Sequence, residues 1–285
     1  SPWALSDTYE ARLRHMDSEW RDYPDHSPIT SHNYTGPQHW PASWGNVGPK
    51  GAYVLACQTW HSGRFKVHRC DLASPTWERA SDRVFIDGSL GASYPAATRD
   101  DARQCFYISG ARQDSNSKHW KLAKDGILTE HPGGMGVYST VSAMGYAPPP
   151  HDVVVALGNT TVTNRVTARV IRPDDWFSAP MKFTGKRPNY ADSNGAHPEW
   201  FLPGNCFVFW DAAAETLYRL HPPVNDPLGG MWEFTNEKLA RSTAYPPTVI
   251  KEAPGGAWNK LRYVPALKAL VYQPTGDEMQ ILRPG

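Results

Sequence analysis

Residues 195–239 read GAHPEWFLPGNCFVFWDAAAETLYRLHPPVNDPLGGMWEFTNEKL, and this stretch contains the most regular pattern of the 285-residue chain. The segment EWFLPGN leads into the apolar run CFVFW, the turn-forming DAAAE precedes TLYRL, and a proline-rich loop precedes MWEFT. Short runs rich in aromatic and β-branched residues, separated by turn residues, indicate β-strands. The stretch therefore predicts one small antiparallel sheet.

The same order of segments recurs along the chain at a spacing of roughly 50 to 60 residues, a period typical of propeller repeats. The further copies cover residues 40–82, 91–131, 141–180 and 256–285. In a propeller each unit is a four-stranded blade. Because no unit could bury both faces of its sheet alone, neighbouring units must cover them. The sequence therefore predicts an all-β, five-bladed β-propeller of four-stranded antiparallel blades.

Large aromatic residues recur at two places in these units. One set is expected in the outer strand of three units: Trp77, Trp176 and Trp232. The other set comes just before the turn that leads to the inner strand: Tyr146, Trp200 and Tyr263. We interpret both sets as packing residues that fill the space between blades, because an aromatic side chain buries a large apolar area.

The last unit has no tryptophan-bearing outer strand, and the N-terminal segment provides a candidate for it. The first residues, SPWALSD (1–7), are similar to SPTWERASD (74–82). We predict that residues 2–7 pair with the last blade near Met279–Arg283 and close the ring. Without such a partner the last blade would keep an open edge, which favours aggregation.

One helix is predicted, at DTYEARLRHMDSEW (7–20), because Tyr9, Leu13, Met16 and Trp20 share one face. This helix either docks the propeller onto a larger assembly or packs on its rim. The expected organisation is a single domain with a preceding linker: closing strand 1–7, helix and linker 8–32, propeller 33–285.

A family resemblance rests on two segments, HRCDLASPTWERAS and LYRLHPPVNDPLGGMWEF. They resemble the strand–loop–tryptophan half of a kelch blade, so residues 33–285 resemble the kelch-like, galactose-oxidase-like propellers. The kelch double glycine is matched only in part, at GGMGVYS (133–139) and GGAW (255–258). The copper site of galactose oxidase has no matching residue set, so the resemblance does not imply oxidase activity.

The C-terminal segments WNKLRYVPALKALVYQP and MQILRP are similar to the last blade of propellers from bacteriophages and bacteria, many of them virion or surface-recognition proteins. This resemblance implies a virion component, such as a tail, fibre or decoration protein, with other virion or assembly proteins as partners. Such a protein is made in the host cytoplasm without a signal peptide. A cytoplasmic protein is the alternative.

The composition excludes some partners. A formal net charge of +1 disfavours a nucleic-acid-binding protein, which carries a basic excess. No apolar run approaches the roughly 20 residues that span a bilayer.

Cys57 and Cys70 lie on the two arms of one predicted hairpin, so a disulfide between them is one alternative, although a diagonal placement would not suit disulfide geometry. Cys105 and Cys206 lie in apolar runs and are interpreted as buried, reduced thiols.

Catalytic motifs are absent from the sequence. HExxH, GxSxG, the P-loop and GxGxxG do not occur, and no Cys/His spacing indicates zinc. The acidic pairs in RDD (99–101) and PDD (173–175) are interpreted as turn residues. We therefore expect no cofactor and no metal.

The predicted function is non-enzymatic recognition of a protein partner or a host-surface glycan. Aromatic and histidine side chains concentrate in predicted loops, above all in SHNYTGPQHWPASW (31–44), and aromatic faces suit sugar rings and protein contacts. The candidate ligand-binding residues are His32, Tyr34, His39, Trp40, Trp44, Trp60, His61 and His197. In the alternative interpretation, SHNYTGPQHW forms the inner strand of the first blade and its aromatics are packed.

The alternative function is a carbohydrate-active enzyme, a polysaccharide lyase or glycoside hydrolase with its site at one mouth of the channel. A lyase needs a Tyr or His base and an Arg or Lys to neutralise the uronate. The candidates for these roles are His32, Tyr34, His39, His151, His197 and Arg262. A third alternative is an intracellular kelch-type scaffold.

Overall fold

The computed structural model describes the greater part of the chain from residue 38 onward. The described ranges are 38–58, 65–73, 77–79, 93–111, 118–131, 141–160, 165–188, 198–211, 215–239, 261–272 and 280–284. The chain divides into two compact units, residues 1–134 with two sheets and residues 135–285 with three.

The first unit contains blades 1 and 2, each a sheet of four consecutive antiparallel strands. Blade 1 consists of β1 (Gln38–Trp40), β2 (Ala52–Gln58), β3 (Phe65–Asp71) and β4 (Trp77–Arg79). Blade 2 consists of β5 (Ser93–Asp100), β6 (Cys105–Ala111), β7 (Lys118–Ala123) and β8 (Leu128–His131). The two blades share one apolar core, which includes Trp40, Val54, Phe106, Ile108 and Leu122.

The second unit contains blades 3, 4 and 5. Blade 3 consists of β9 (Val141–Ala147), β10 (Val153–Thr160), β11 (Arg165–Ile171) and β12 (Ser178–Pro180). Blade 4 consists of β13 (Lys182–Gly185), β14 (Glu199–Phe201), β15 (Cys206–Asp211), β16 (Thr216–His221) and β17 (Met231–Lys238). Blade 5 consists of β18 (Leu261–Val264), β19 (Ala269–Tyr272) and β20 (Gln280–Leu282).

The all-β, five-bladed β-propeller fold is confirmed by these five sheets, but their strand number is less uniform than predicted. Blade 4 has five strands because β13, which follows blade 3 in the chain, pairs in parallel with the outer strand β17. Blade 5 has three described strands. The closing strand 2–7 and the helix 7–20 lie outside the described residues, as do the domain boundaries predicted before residue 33.

The turn between the first and second strand of each blade ends in the same backbone conformation, where β14 and β15 are counted as the first and second strands of blade 4 because β13 is an added strand at its outer edge. The residue just before the second strand has a positive φ in every blade: Gly51, Gln104, Asp152, Asn205 and Lys268. Residues other than glycine adopt this left-handed conformation at a cost of roughly 1–2 kcal/mol. Four of these five residues are not glycine. The backbone conformation therefore repeats from blade to blade although no common residue type marks it in the sequence.

The first residue of the second strand is small and buried in every blade. It is Ala52, Cys105, Val153, Cys206 and Ala269 in blades 1 to 5, and all five are buried. Cys105 and Cys206 are free thiols, as predicted, and burial raises the pKa of each to about 11. Both cysteines therefore serve as small apolar residues.

The register of blade 1 excludes a bridge between Cys57 and Cys70. Cys70 lies opposite Tyr53, whereas Cys57 lies opposite Lys66. The two cysteines are therefore offset by four residues along the strands, roughly 13 Å at the usual rise per residue. A disulfide needs Cα atoms within about 7 Å, and Cys70 is free.

The recurrent aromatics lie at the predicted positions in the strands, with one exception, and Tyr263 lines a cleft rather than filling the space between blades. Trp232 is fully buried in β17, and Trp77 begins β4. Tyr146, Trp200 and Tyr263 each occupy the next-to-last position of a first strand, opposite the second residue of the following strand. In blades 1 and 2 the same position holds His39 and Arg99.

The placement of Trp176 in an outer strand was wrong. Trp176 has φ 59° and lies in the turn between β11 and β12. The cause is local, because the Asp175 carboxylate accepts hydrogen bonds from the Arg172 guanidinium at 2.6 and 2.8 Å and from the Phe177 backbone N–H at 3.1 Å. These bonds fix a tight turn around Trp176.

Candidate functional site

Blades 4 and 5 leave a cleft of about 610 Å³ between them, in the second unit. Blade 4 lines this cleft with Phe201, Pro203, Gly204, Arg219 and His221. Blade 5 lines it with Tyr263, Pro265, Lys268 and Pro284. The cleft is therefore built from both first-to-second-strand turns and from the end of β16.

Two short turns of the same design form the rims of the cleft. Residues Leu202–Gly204 and Pro265–Leu267 are single 3₁₀ turns with proline near their start. Asn205 and Lys268 then end these turns in the left-handed conformation, with φ 47° in each case. Proline restricts the backbone of the turn, so each turn presents its side chains from a rigid support.

The first strands of the two blades are joined at the inner end of the cleft by Glu199. Its carboxylate accepts a hydrogen bond from the backbone N–H of Tyr263 at 2.9 Å and pairs with the Arg262 guanidinium at 3.3 Å. The ring of Tyr263 meets Phe201 edge-on, with centroids 5.2 Å apart. These contacts fix the position of the two aromatic rings that line the cleft.

The polar wall of the cleft comes from β16 and is supported by β17. Arg219 donates a hydrogen bond to Glu237 at 2.6 Å, and His221 Nε2 lies 3.0 Å from Thr235 Oγ1. Burial lowers the pKa of His221, the positive charge of Arg219 lowers it further, and Glu233 opposes both effects. The net effect keeps the pKa of His221 below its ordinary value, which favours the neutral imidazole.

The lining combines N–H and O–H donors with flat apolar side chains. The donors are guanidinium, imidazole, ammonium and phenol groups, and the apolar surface comes from proline and phenylalanine. In the part of the chain that the structure describes, no carboxylate lines this cleft. The arrangement suits a ligand that is rich in oxygen acceptors and has apolar ring faces.

His151 lies beside the cleft and supports one of its turns. Its side chain is buried, and its Nε2 lies 2.9 Å from the amide nitrogen of Asn205. Its ring meets Trp200 edge-on, with centroids 5.9 Å apart. Burial lowers the pKa of His151, and the hydrogen bond with Asn205 opposes that effect. His151 thus links blade 3 to the turn that lines the cleft in blade 4.

Trp40 and Trp44 do not lie in an exposed binding loop as predicted. Trp40 ends β1, and both indoles are buried against Phe106, with centroids 5.6 and 5.2 Å from its ring. The Arg69 guanidinium covers a face of Trp40 at 5.2 Å. For this part of the loop the alternative is correct: it forms the inner strand of blade 1 with packed aromatics.

His39 is exposed, next to Arg99 of blade 2. The Arg99 guanidinium lies 3.4 Å from His39 Nδ1 and donates a hydrogen bond to the His39 carbonyl at 3.2 Å. Partial burial and the charge of Arg99 lower the pKa of His39. The remaining candidates lie outside the described residues: His32, Tyr34, Trp60, His61 and His197. A ligand-binding role for them and for His39 stays a prediction.

Sequence reasoning missed three polar residues of the cleft, Arg219, His221 and Lys268. Arg219 and His221 lie on either side of Leu220 in β16 and so share one face of the strand. The segment TLYRL was interpreted only as a strand, without attention to the polar residues on that face. Lys268 lies in a turn of blade 5. A search for polar residues on one face of a strand could have found the first two, but the pairing of blades that adds Lys268 is not visible in the sequence. Of the enzyme candidates, Arg262 is paired with Glu199 and His151 with Asn205.

The acidic turn residues are structural, as predicted. Asp100 is fully buried and accepts hydrogen bonds from the Arg103 backbone N–H at 3.0 Å, the Arg103 guanidinium at 3.1 Å and the Tyr107 hydroxyl at 3.0 Å. Asp175 shapes the turn of blade 3 described above.

Among the described residues no group of three or more His, Cys, Asp or Glu side chains is arranged to hold a metal ion. In the same part of the chain no helix is long and apolar enough to cross a membrane.

Comparison with known proteins assigns no family. No protein-family model matches the chain, and no curated protein matches it. Among solved structures it is similar to a nidogen/laminin complex chain, with 11% identity, a TM-score of 0.46, and coverage of 82% of this chain and 76% of the other. It is also similar to a GH43_1 enzyme from Xanthomonas citri, with 13% identity, a TM-score of 0.39, and coverage of 86% and 82%.

A third similar structure is the GH74 xyloglucanase from Xanthomonas campestris, with 16% identity and a TM-score of 0.41. The similarity covers 70% of this chain but only 30% of the xyloglucanase chain. These similarities include glycoside hydrolases, but at this level of identity and of structural agreement they assign neither an activity nor a partner to this chain.

Proposed function

We propose that this protein is a non-enzymatic recognition propeller that binds a glycan in the cleft between blades 4 and 5. The observation that carries this proposal is the lining of the cleft, which places Phe201, Tyr263 and three prolines beside Arg219, His221 and Lys268. Sugar rings offer apolar faces to such flat side chains and hydroxyl oxygens to such donors.

Binding rather than hydrolysis is favoured by the described lining of the cleft, which offers donors and apolar surface rather than acids. Glycoside hydrolases generally use a pair of carboxylates on either side of the scissile bond. None of the described residues that line this cleft is Asp or Glu, and the nearby Glu199 and Glu237 carboxylates are held by Arg262 and Arg219. From these residues a ligand in the cleft meets donors and apolar surface rather than a pair of carboxylates.

A polysaccharide lyase is the second candidate, and a specific observation favours it. The cleft contains a histidine whose pKa is lowered by burial, His221, and a tyrosine, Tyr263, together with the cations Arg219 and Lys268. These are the residue types that a lyase uses to remove a proton and to neutralise a uronate. A lyase is distinguished from a protein that only binds glycan by its product, an unsaturated sugar that absorbs ultraviolet light.

The test is a glycan array read with the purified protein and two tryptophan variants. Pro284→Trp places an indole in the cleft, whereas Val224→Trp places one on a loop residue that is 86% exposed and outside the lining. We expect the Val224→Trp variant to bind glycan as the unchanged protein does and the Pro284→Trp variant to lose binding. We also expect the bound glycan to be recovered without cleavage. Binding that is equal in both variants would contradict the proposal, and an unsaturated product would replace it with the lyase.

The setting of this recognition function rests on the C-terminal sequence resemblance to virion and surface-recognition propellers. Binding of a surface glycan is consistent with such a setting. The virion location and the protein partners therefore stay predictions from the sequence.

A further inference from the structure

We propose that the glycan bound in this cleft is acidic, and that Lys268 and His221 hold the carboxylate of a uronic acid residue. This inference rests on the proposed function and names the class of its ligand. It follows from the sign and placement of the charges that line the cleft.

Among the described residues that line the cleft, every ionisable group apart from the Tyr263 phenol is cationic or becomes cationic on protonation. They come from opposite sides, since Arg219 and His221 belong to β16 of blade 4 and Lys268 to the turn of blade 5. An anion between them faces positive charge from both blades. Charge-assisted hydrogen bonds to an anion are about twice as strong as those between neutral groups.

Lys268 is the charge most available to a ligand. It is exposed at the end of the turn Pro265–Leu267 and has no ion-pair partner among the described residues. Arg219, in contrast, donates to Glu237 at 2.6 Å. That pair fixes the Arg219 guanidinium and partly offsets its charge, so Arg219 adds a smaller share of the attraction.

His221 makes the binding of an anion depend on pH. The groups that face it are Arg219 on its own strand, Glu233 and Thr235 on β17, and Lys268 and Tyr263 across the cleft. Without ligand, burial and Arg219 keep the pKa of His221 below its ordinary value. A bound carboxylate favours the charged imidazole and raises that pKa, so binding and protonation strengthen each other.

The sign of the pH effect follows from this linkage. As the pH falls from neutral toward the pKa of His221 in the complex, the complex takes up a proton more readily than the free protein, and affinity rises. Once the pH is below the pKa of the free protein, both states are protonated and the affinity levels off while the ligand carboxylate stays ionised. A neutral glycan shows no such rise.

The experiment compares acidic glycans with their methyl esters, which keep the sugar rings but lose the charge. An array of uronate-containing and neutral glycans identifies the probes, and titration calorimetry then measures each acidic glycan and its methyl ester. Lys268→Gln removes the charge without straining the turn, because Gln104 occupies the same left-handed position in blade 2. The control, Lys186→Gln, removes an exposed charge outside the lining.

We expect an acidic glycan to bind about tenfold more weakly after esterification or in Lys268→Gln, as loss of a charge-assisted hydrogen bond predicts, and to bind normally to Lys186→Gln. His221→Gln should remove the rise in affinity at lower pH. If the acidic glycan and its methyl ester bind equally well, and Pro284→Trp prevents the binding of both, this inference is overturned but the proposed function is not. If no glycan is found whose binding is lost in Pro284→Trp, the proposed function itself is overturned.

Discussion

The junction between blades 1 and 2 is filled with aromatic side chains up to its first turn, whereas the junction between blades 4 and 5 combines an apolar core with a cleft beside its turns. In blade 1 the first-to-second-strand turn runs from Pro41 to Gly51 and places Trp44 on Phe106, 5.2 Å between centroids. In blade 4 the corresponding turn is only Leu202–Asn205, and it borders the cleft, while Trp210 and Tyr272 pack in the apolar core that blades 4 and 5 share. Both junctions therefore contain a core, and they differ at the turn, which adds an indole to the core of blades 1 and 2 and lines a cleft between blades 4 and 5.

The strongest test of this comparison is truncation of the residue that fills the first junction. Trp44→Ala should lower the free energy of unfolding by about 3–5 kcal/mol, because it leaves a cavity beside Trp40 and Phe106. Leu202→Ala, in the short turn of blade 4, should cost less than about 0.5 kcal/mol, since Leu202 is exposed. Urea unfolding measures both, and similar losses would refute the contrast.

The long turn of blade 1 should also depend on Asp71. Its carboxylate accepts hydrogen bonds from the backbone N–H groups of Gly48 at 2.6 Å and Ala73 at 2.7 Å. Asp71→Ala should cost about 2 kcal/mol, because two charge-assisted bonds are lost. Asp226→Ala provides a matched control, since Asp226 accepts one such bond, from Gly229 at 2.9 Å, and should cost about half as much. An unchanged unfolding midpoint for Asp71→Ala would show that the turn is held in another way.

The equivalence of the blades predicts that Cys206 is replaceable. Cys206 occupies the position that holds Ala52 in blade 1 and Ala269 in blade 5. Cys206→Ala should therefore cost only about 1 kcal/mol, the value of one small group removed from a core. Cys206→Asp, which puts a charge in the same buried position, should abolish folding or come close to it. A large loss in the alanine variant, measured by thermal unfolding, would contradict the equivalence.

The smallest effect concerns pH and the support of the cleft by His151. The pKa of His151 is lowered in the folded protein, so the unfolded chain binds protons more readily as the pH falls below its ordinary value, about 6.5. This contribution to stability is present above that pH and is lost as the pH falls toward the folded pKa. His151→Asn should flatten the pH dependence of unfolding between neutral and mildly acidic pH.

His39→Gln is the control for that measurement. His39 also has a lowered pKa, but its side chain is exposed. Its replacement should therefore change the slope of stability against pH less than that of His151. A larger change for His39 would mean that burial at the blade 3–4 contact is not what makes His151 sensitive to pH.

The sequence predicted the sheets better than it predicted the site. Alternating apolar runs such as CFVFW and TLYRL specify strands locally, and Trp232 was placed correctly because it lies inside such a run. Trp176 was misplaced because the hydrogen bonds of Asp175 impose a turn that overrides the strand pattern. The left-handed positions at Gln104 and Lys268 carry no glycine to mark them.

The cleft was missed because it depends on how two blades face each other. His221 and Lys268 come from different blades, and the sequence contains no signal that brings them together. The predicted loop was rich in aromatics for a different reason, since Trp40 and Trp44 fill the blade 1–2 core. Aromatic density alone therefore did not separate aromatics that pack in a core from those that line a cleft.

The most direct test of the central claim is a crystal structure of the protein with a bound oligosaccharide from the array. The account predicts sugar density in the blade 4–5 cleft, against Phe201 and Tyr263 and within hydrogen-bond distance of Lys268. Sugar density beside His39 of blade 1, with the cleft left empty, would contradict it.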